Sequence, residues 1–278
     1  MKWIFLGLTA LLFVQPAPRK QWRNPEVTPL HWNQLAPGLD FTQAEASILC
    51  NIGDSRISIL RIDPKDFDFH VLSSQDFQHE NLTAPAWAKE HQLIAVINAG
   101  MYQTDFVTHV GYMQQKGKIN NGQYSSDNSI AAFHPKNTIL PPFQIIDRQC
   151  QDWKSLTEEY QSLVQCIRMV DCQQKNRWSQ QAKYWSMSVL GADRSGRMLM
   201  IFCRTPYSVH DMIDMLLVMP IDLHNAMYLE GGPEASFYLA SGQTEVRGIG
   251  SYETGFYESD ANAEYWPLPN VIGISPKK

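Results

Sequence analysis

The sequence has little basic charge and no dense run of lysine and arginine. Its 278 residues hold 23 Lys and Arg against 28 Asp and Glu, so the net charge near neutral pH is −5. A protein that follows a nucleic-acid backbone needs a stripe of basic side chains to neutralise the phosphates. We therefore expect no nucleic-acid partner.

The chain has an apolar N-terminal stretch that is too short to cross a bilayer comfortably as a helix. This stretch runs from Trp3 to Val14, follows Lys2 and precedes Gln15-Pro16-Ala17-Pro18. A basic residue, an apolar run and small residues in this order resemble a secretory signal peptide. We predict that residues 1–20 are a signal peptide or an N-terminal anchor and that the protein is exported, either to the periplasm or outside the cell. Membrane contact is then expected only through this segment if it is not cleaved, and a buried N-terminal helix is the alternative.

The five cysteines include no Cys-x-x-Cys pair and no Cys/His cluster typical of zinc. The sequence thus predicts no cofactor, and it does not decide whether a divalent metal is needed. An odd number of cysteines leaves at least one thiol outside an intramolecular disulfide. Cys166 and Cys172 are close enough in sequence to close a small loop in an oxidising compartment. Cys203 lies in an apolar run and is expected to be a buried thiol.

The hydrophobic pattern indicates many short strands and about three short helices, without regular alternation of strand and helix. This favours an α+β fold, a single domain with a large mixed, mainly antiparallel sheet and a few short helices. We place this domain at residues 45–278 and a leader segment that packs on it at residues 21–44. One helix is expected from Ser208 to about Met219, where Pro220 ends it.

One stretch of this domain joins a buried strand to a glycine turn and two acids. The apolar run from Ala226 to Leu229 ends at Glu230, and Gly231-Gly232, Glu234 and Ser236 follow. Strand ends that open into glycine-rich turns bring backbone and side chains close to a ligand. A simple β-hairpin whose turn contains glycines and acids is the alternative.

A second buried strand also ends in a polar residue that is soon followed by a glycine. The apolar run from Leu93 to Ile97 ends at Asn98-Ala99-Gly100-Met101-Tyr102. In order and spacing, these motifs resemble those of the phosphodiester glycosidase family over roughly residues 45–275. The Asn-Gly-Gly-Phe-Phe-like strand end of that family matches Asn98 to Tyr102, and its Leu-Asp-Gly-Gly-Gly-Ser-Ser motif matches Leu229 to Ser236. Further matches are Val110-Gly111-Tyr112, Gly117, Ser188-Val189-Leu190-Gly191 and Gly196 to Cys203.

The chain departs from the family pattern at three places. Glu230 stands where the family has Asp, and Pro233-Glu234 replaces a glycine and a serine. Met187-Ser188 stands where the family has an Arg-Thr dipeptide, so a bidentate phosphate partner is lost there. Arg168 or Arg204, on neighbouring strands, is the expected substitute.

The resemblance implies an exported glycosidase-like hydrolase that cleaves a sugar-1-phosphodiester, of the N-acetylglucosamine type or in an envelope or exopolysaccharide glycan. The expected partner is therefore a carbohydrate or glycan-phosphate ligand. A non-catalytic carbohydrate-binding or polysaccharide-assembly protein on the same fold is the alternative. The residues predicted as catalytic are Glu230, Glu234 and Asn98. The residues predicted to bind substrate are Gly100, Tyr102, His109, Arg168, Arg204, Gly231, Gly232 and Ser236.

Each of these side chains also has a plainer interpretation. Glu230 could accept hydrogen bonds from turn amides, Glu234 could be a solvated turn acid, and Asn98 could cap a turn. Tyr102 and His109 could serve only in packing. Two carboxylates this close would raise the pKa of one of them, which suits acid–base chemistry.

Arg204 is predicted to lie in a loop between a buried strand and the helix that starts near Ser208. Such a loop is a good anion site because the helix amides point into it. An ordinary ion pair with Asp211 or Asp214 is the alternative for Arg204.

Overall fold

The computed structural model describes residues 20–22, 29–77 and 80–277. The apolar stretch that we predict as a signal peptide or anchor lies outside these residues. Among the helices that are described, none has the length and apolar character needed to cross a bilayer.

The described residues form eighteen strands, four α-helices and one 3-10 turn. The strands are β1 Lys20–Trp22, β2 Asn33–Ala36, β3 Leu39–Glu45, β4 Ile48–Cys50, β5 Arg56–Ile62, β6 Phe67–Ser73, β7 Ala95–Asn98, β8 Met113–Gln115, β9 Lys118–Asn121, β10 Ser129–Pro135, β11 Phe143–Asp147, β12 Tyr160–Val170, β13 Trp185–Asp193, β14 Met198–Tyr207, β15 Leu223–Gly231, β16 Ser236–Ser241, β17 Thr244–Ile249 and β18 Asn270–Pro276. The helices are α1 Ser74–Phe77, α2 Ala84–Glu90, α3 Trp153–Glu158 and α4 Val209–Val218, and the 3-10 turn is Gly232–Glu234.

Most strands belong to two sheets. The larger has eleven strands in the order β11-β10-β12-β15-β13-β14-β5-β3-β2, with β8 and β9 attached to β12. The smaller has five strands in the order β17-β16-β7-β18-β6. Every pairing between the described strands of these sheets is antiparallel. The α+β class with a few short helices is confirmed in this mainly-β form, whereas the expected parallel component of a mixed sheet is not found among them.

The two sheets pack face to face with a helix on each outer side. Side chains alternate along the strands, so one set fills the space between the sheets and the other faces a helix. In β14, for example, Met200 lies in the core between the sheets and Ile201 lies in the core under α4. The helix α4 begins at the N-cap Ser208, whose hydroxyl accepts the amide of Asp211 at 3.1 Å. It ends at Val218, so the predicted bounds of this helix are confirmed.

The chain passes from the larger sheet to the smaller one at the end of β15. The 3-10 turn Gly232–Glu234 follows β15 directly, and β16 begins two residues later. Because β16 pairs with β7, the end of β7 at Asn98 is brought to the same edge as this crossover. The two strand ends that the sequence singled out therefore meet where the sheets are joined.

Two sequence-based expectations differ from the structure. Strand β2 and all of β3 except Glu45 lie within the predicted leader segment, yet both strands pair in the larger sheet, so the sheet begins earlier than residue 45. The disulfide joins Cys150 to Cys172, not Cys166 to Cys172. Cys166 lies inside β12 with its thiol buried in the core, whereas Cys172 lies beyond the end of that strand, next to the end of β11.

Candidate functional site

Glu230 is the buried acid of the crossover. It lies near the end of β15, is only 8% exposed, and one of its carboxyl oxygens accepts the amide of Gly231 at 2.9 Å. Burial raises the pKa of Glu230 well above its ordinary value, and the charges of Glu234 and Glu253 raise it further. The hydrogen bond from Gly231 opposes this shift but does not reverse it. Glu230 is therefore the carboxyl of the cluster that most favours the protonated form.

Glu234 and Glu253 complete a cluster of three carboxyls. Glu234 lies in the 3-10 turn, half-buried, and its Oε1 accepts a hydrogen bond from the Tyr102 hydroxyl at 3.4 Å. Burial and then the charge of Glu253 raise the pKa of Glu234. Burial also raises the pKa of Glu253, although Lys183 opposes that shift.

The two glycines of the turn are needed for packing within the protein. Gly232 has a φ of +62°, and a Cβ at this position would fall on the carboxylate of Glu253. A Cβ on Gly231 would fall on the Tyr228 hydroxyl and the Trp185 indole. The absence of side chains thus lets Glu253 and Tyr228 approach the turn. Direct contact of Gly231 and Gly232 with a substrate stays a prediction.

Asn98 joins the 3-10 turn to both sheets through hydrogen bonds. Its Nδ2 donates to the Glu234 carbonyl at 2.9 Å, and its Oδ1 accepts from the Ser236 amide at 2.7 Å and from the Ser188 hydroxyl at 3.2 Å. The residue is 2% exposed, so the side chain is engaged and covered. This arrangement favours a positioning role for Asn98 over direct contact with the reacting atoms.

We expect Asn98→Ala to loosen the turn that carries Glu234. The substitution leaves the Ser236 amide without its acceptor, while the Ser188 hydroxyl keeps the Glu230 carbonyl, so it should lower the free energy of unfolding by about 2 kcal/mol. Thermal unfolding measures this effect. The matched variant Ser188→Ala removes only one donor and should lower it by about 1 kcal/mol. Equal effects of the two variants would contradict the positioning role.

Three other residues that were predicted to bind substrate are buried behind the site and pack against it. Ser236 is buried and its hydroxyl donates to the Glu234 carbonyl at 3.1 Å. His109 is fully buried, accepts the Gly111 amide at 3.0 Å, and has its pKa lowered by burial. Gly100 has a φ of +104°, and a Cβ there would collide with the His109 ring. This geometry favours the packing interpretation for His109.

Arg204 does not lie in a loop before α4. Strand β14 continues to Tyr207, and the Arg204 guanidinium donates to three backbone carbonyls within residues 249–262. Its ion pair is with Asp260 at 2.9 Å, not with Asp211 or Asp214. Arg204 thus anchors the segment that carries Glu253, because that segment crosses its side chain.

Arg168 lies on β12, beside the site, and its charge is matched inside the protein. Its Nη1 pairs with Asp147 at 2.9 Å, and its Nη2 donates to Gln149 at 2.9 Å. Met187, at the position where the family has Arg, is buried in the core under α4. Binding of a phosphate by Arg168 stays a prediction.

The described residues contain one group of three potential metal-ligating atoms that lie within 4.8 Å of one another. It consists of Asp147, Cys150 and Cys172. Both sulfurs are in the disulfide, so they are not available as thiolate ligands. No metal centre is assigned to this group.

Sequence reasoning missed Glu253 and the aromatic side chains beside the turn. Glu253 comes from a separate segment, in which it forms isolated bridges to Trp185 and Tyr257. The Trp178 and Trp185 rings lie 6.1 and 6.4 Å from the Tyr228 ring. The Glu253-Thr254-Gly255 turn was visible in the sequence, but nothing there linked it to the Gly-Gly turn.

The family model for phosphodiester glycosidases matches residues 91–275, which is about two-thirds of the chain. The chain belongs to the phosphodiester glycosidase family. The matched region of this family member includes both strand ends, the Gly-Gly turn and all three glutamates. None of the curated proteins matches the sequence significantly.

Two solved structures share the fold of this family member. A hypothetical protein from Synechocystis has a TM-score of 0.58 and 12% sequence identity, over 90% of this chain and 64% of its own. The chain thus spans somewhat less than two-thirds of that protein. The catalytic domain of zebrafish N-acetylglucosamine-1-phosphodiester α-N-acetylglucosaminidase, auto-inhibited by its pro-peptide, has a TM-score of 0.55 and 11% identity, over 93% of this chain and 88% of its own. At these identities the likeness concerns the fold.

Proposed function

We propose that this protein is an exported hydrolase that cleaves a sugar-1-phosphodiester of the N-acetylglucosamine type. The observation that carries the proposal is the cluster of Glu230, Glu234 and Glu253 at the crossover between the sheets. Carboxyls in a pair with different environments can divide the roles of acid and base. Family membership and the activity for which the zebrafish relative is named support the choice of bond.

The environments of Glu230 and Glu234 suggest which of them is the acid. Glu230 is the more deeply buried and keeps its proton most strongly, so it is suited to protonate the departing phosphate oxygen. Protonation also removes one negative charge from a site that must accept an anionic phosphodiester. Glu234 is more exposed and is suited to take a proton from the attacking water.

In this reaction the water oxygen forms a bond to the anomeric carbon while the bond from that carbon to the phosphate oxygen breaks. Glu234 takes the proton from water, and Glu230 gives its proton to the phosphate. The products are a free sugar and a phosphomonoester. An oxocarbenium-like transition state would gain stability from nearby carboxylate charge, which Glu253 can supply.

The disulfide supports export. Disulfides persist in oxidising compartments and are rare in the cytosol. The Cys150–Cys172 bond therefore fits the predicted signal segment at residues 1–20.

Turnover tests the proposal directly. We expect the protein to release N-acetylglucosamine and methyl phosphate from the methyl ester of N-acetylglucosamine 1-phosphate. The rate should fall on the acid side as Glu234 is protonated, at a pH above the ordinary glutamate value because its pKa is raised. It should fall on the alkaline side, at a higher pH, as Glu230 loses its proton. Measuring the rate of sugar release across the pH range tests both the decrease on the acid side and the decrease on the alkaline side.

A panel of N-acetylglucosamine, N-acetylgalactosamine and glucose 1-phosphodiesters serves to separate a wrong sugar from a wrong reaction. Failure to hydrolyse any of them, together with binding of glycans, would contradict the hydrolase proposal and favour the non-catalytic alternative. A matched exposed-site variant, Glu245→Gln on β17, should keep the wild-type profile.

A further inference from the structure

Two phenylalanine side chains project into solvent beside the acid cluster formed by the three glutamates. Phe106, in the loop between β7 and β8, is 62% exposed, and Phe256, in the loop after β17, is 61% exposed. The Phe106 ring lies 6.0 Å from the ring of Tyr102, whose hydroxyl donates to Glu234. The Phe256 amide donates to the carbonyl of Glu253 at 3.2 Å. The chemistry proposed above uses neither phenylalanine.

The two phenylalanines belong to one edge of the molecule. Next to Phe106, the carbonyl of Val107 accepts the side-chain amide of Asn270 at 2.9 Å. Trp266 lies in the same segment, just before β18, and its ring packs edge-on against the Phe256 ring at 6.1 Å. We refer to Phe106, Phe256 and Trp266 as the aromatic rim. Exposed apolar side chains grouped beside a functional site mark a surface that meets an apolar partner.

The loop that carries Phe106 is held in a fixed and strained conformation. Phe106 has a φ of +59°, which is unfavourable for a bulky side chain. The loop keeps this conformation because Asp105 Oδ1 accepts the amides of Val107 and Thr108 at 3.0 and 2.9 Å. The side-chain amide of Asn81 also donates to the Phe106 carbonyl at 2.8 Å. The fold thus stabilises a backbone that holds an apolar ring in water, and strain of this kind is characteristic of functional segments.

The described chain begins on the same side of the molecule as the rim. Its first strand, β1, pairs with β4, where the Ile48 carbonyl accepts the hydroxyl of Tyr207. Tyr207 is the strand partner of Trp185, and Trp185 forms a bridge to Glu253. The segment that carries Phe256 is therefore close to the point where the N-terminal part of the chain joins the domain.

This position limits how far the rim can lie from a membrane that holds the apolar N-terminal stretch. An extended chain covers at most about 3.5 Å per residue, so the part from Val14 to Lys20 spans at most about 20 Å. A retained anchor would keep β1, and with it this side of the protein, within that distance of the bilayer.

We propose that the aromatic rim docks the protein on a zwitterionic lipid bilayer, with the Phe106 and Phe256 rings in the interface and the acid cluster facing the lipid headgroups. Apolar rings at the headgroup boundary gain stability in proportion to the area they bury. Asp105 and Glu258 are exposed beside the two rings and would repel an anionic surface. Phenylalanine carries no hydrogen-bonding group, so the rim fits lipid better than a glycan, whose sites combine rings with polar side chains.

This inference goes beyond the sequence-based expectation that the membrane is contacted only through the N-terminal segment. Site-specific labelling of the full chain tests it in a Cys50→Ser background, where the other cysteines are buried or in the disulfide. An environment-sensitive dye is placed at Phe106→Cys, Phe256→Cys or Val218→Cys. Val218, at the C-terminal end of α4, is 56% exposed and serves as the matched control.

Phosphatidylcholine vesicles should raise the dye emission about threefold at positions 106 and 256 and leave it nearly unchanged at position 218. Phe106→Ser should lower the response at position 256 about twofold, and Val218→Ser should not change it. Replacing part of the lipid with phosphatidylglycerol should reduce the response at both rim positions, and added salt should restore it.

Binding to vesicles with no dye response at positions 106 and 256 would mean that the N-terminal segment alone holds the protein, and it would overturn the docking surface. An equal response at all three positions, or no response at any of them, would also overturn it. A response to soluble dextran as large as that to vesicles would assign the rim to glycan instead. Because the dye reports docking without turnover, a protein that docks but hydrolyses no phosphodiester would contradict the proposed function and leave the docking surface standing.

Discussion

Glu230→Gln should lower the rate of sugar release by about a thousandfold or more, because general acid catalysis contributes on the order of 10² to 10⁴. Gln has nearly the same shape and can still accept the Gly231 amide through its carbonyl oxygen. It cannot give a proton to the departing phosphate. KM should change little, because the protonated acid and the amide are both neutral.

The same substitution should stabilise the folded protein at neutral and alkaline pH. The pKa of Glu230 is raised in the folded state, so this state holds a proton that the unfolded chain releases once pH exceeds the ordinary glutamate value. Wild-type stability therefore falls as pH rises from about 4.3 towards the folded-state pKa. Each pH unit in this window lowers the free energy of unfolding by about 1.4 kcal/mol, which is about 2 to 4 °C in Tm for a chain of this size. Because Gln does not titrate, position 230 of the variant contributes no such loss of stability with rising pH.

Thermal melts of both proteins from pH 5 to pH 8 measure this divergence. The two Tm values should be similar near pH 5, and the variant should melt several degrees higher near pH 8. Glu245→Gln, on the exposed side of β17, is the control and should change neither activity nor the pH dependence of Tm. An inactive Glu230→Gln that melts below wild type at every pH would mean that the carboxylate is needed for folding and not as an acid.

The two strand ends could be predicted because their patterns are local. The run into Glu230-Gly231-Gly232 and the run into Asn98 each show a buried strand that ends in polar or flexible residues. Their meeting at one edge was implied only by the family resemblance, since the pairing of β7 with β16 joins residues about 140 positions apart.

The role of Asn98 and the presence of Glu253 could not be predicted because both depend on distant partners. The Asn98 side chain is hydrogen-bonded to Glu234, Ser236 and Ser188, which favours a positioning role over the predicted catalytic one. Glu253 reaches the turn because a separate segment is anchored by Arg204. No periodicity or motif encodes that contact.

Arg204 was misplaced because strand β14 is longer than its apolar run. The apolar run ends at Cys203, which placed Arg204 after the strand. Strand β14 nevertheless continues until Tyr207 pairs with Trp185. Cys166 could not be assigned from spacing alone, because sequence separation does not show that its thiol points from β12 into the core while Cys172 lies beyond the strand end.

Removal of the Cys150–Cys172 disulfide should have the largest effect on stability that we predict. The cysteines are 22 residues apart, and constraining a loop of this length contributes about 3 kcal/mol in the chain-entropy description. The double variant Cys150→Ser/Cys172→Ser should therefore melt roughly 4 to 9 °C below wild type under non-reducing conditions. A reducing agent should lower the Tm of the wild type towards that of the variant and leave the variant unchanged.

The bond also holds the segment that carries Trp178. Cys172 begins this segment beyond β12, and its amide donates to Asp147 at 3.3 Å, which in turn pairs with Arg168. At a temperature well below its Tm, the double variant should still hydrolyse the methyl ester of N-acetylglucosamine 1-phosphate at close to the wild-type rate, because neither cysteine belongs to the acid cluster. Cys50→Ser, at a cysteine outside the disulfide, is the control for both readouts. A double variant that melts with the wild type would contradict the stabilising role, and loss of methyl ester hydrolysis at that temperature would show that the disulfide also supports the acid cluster.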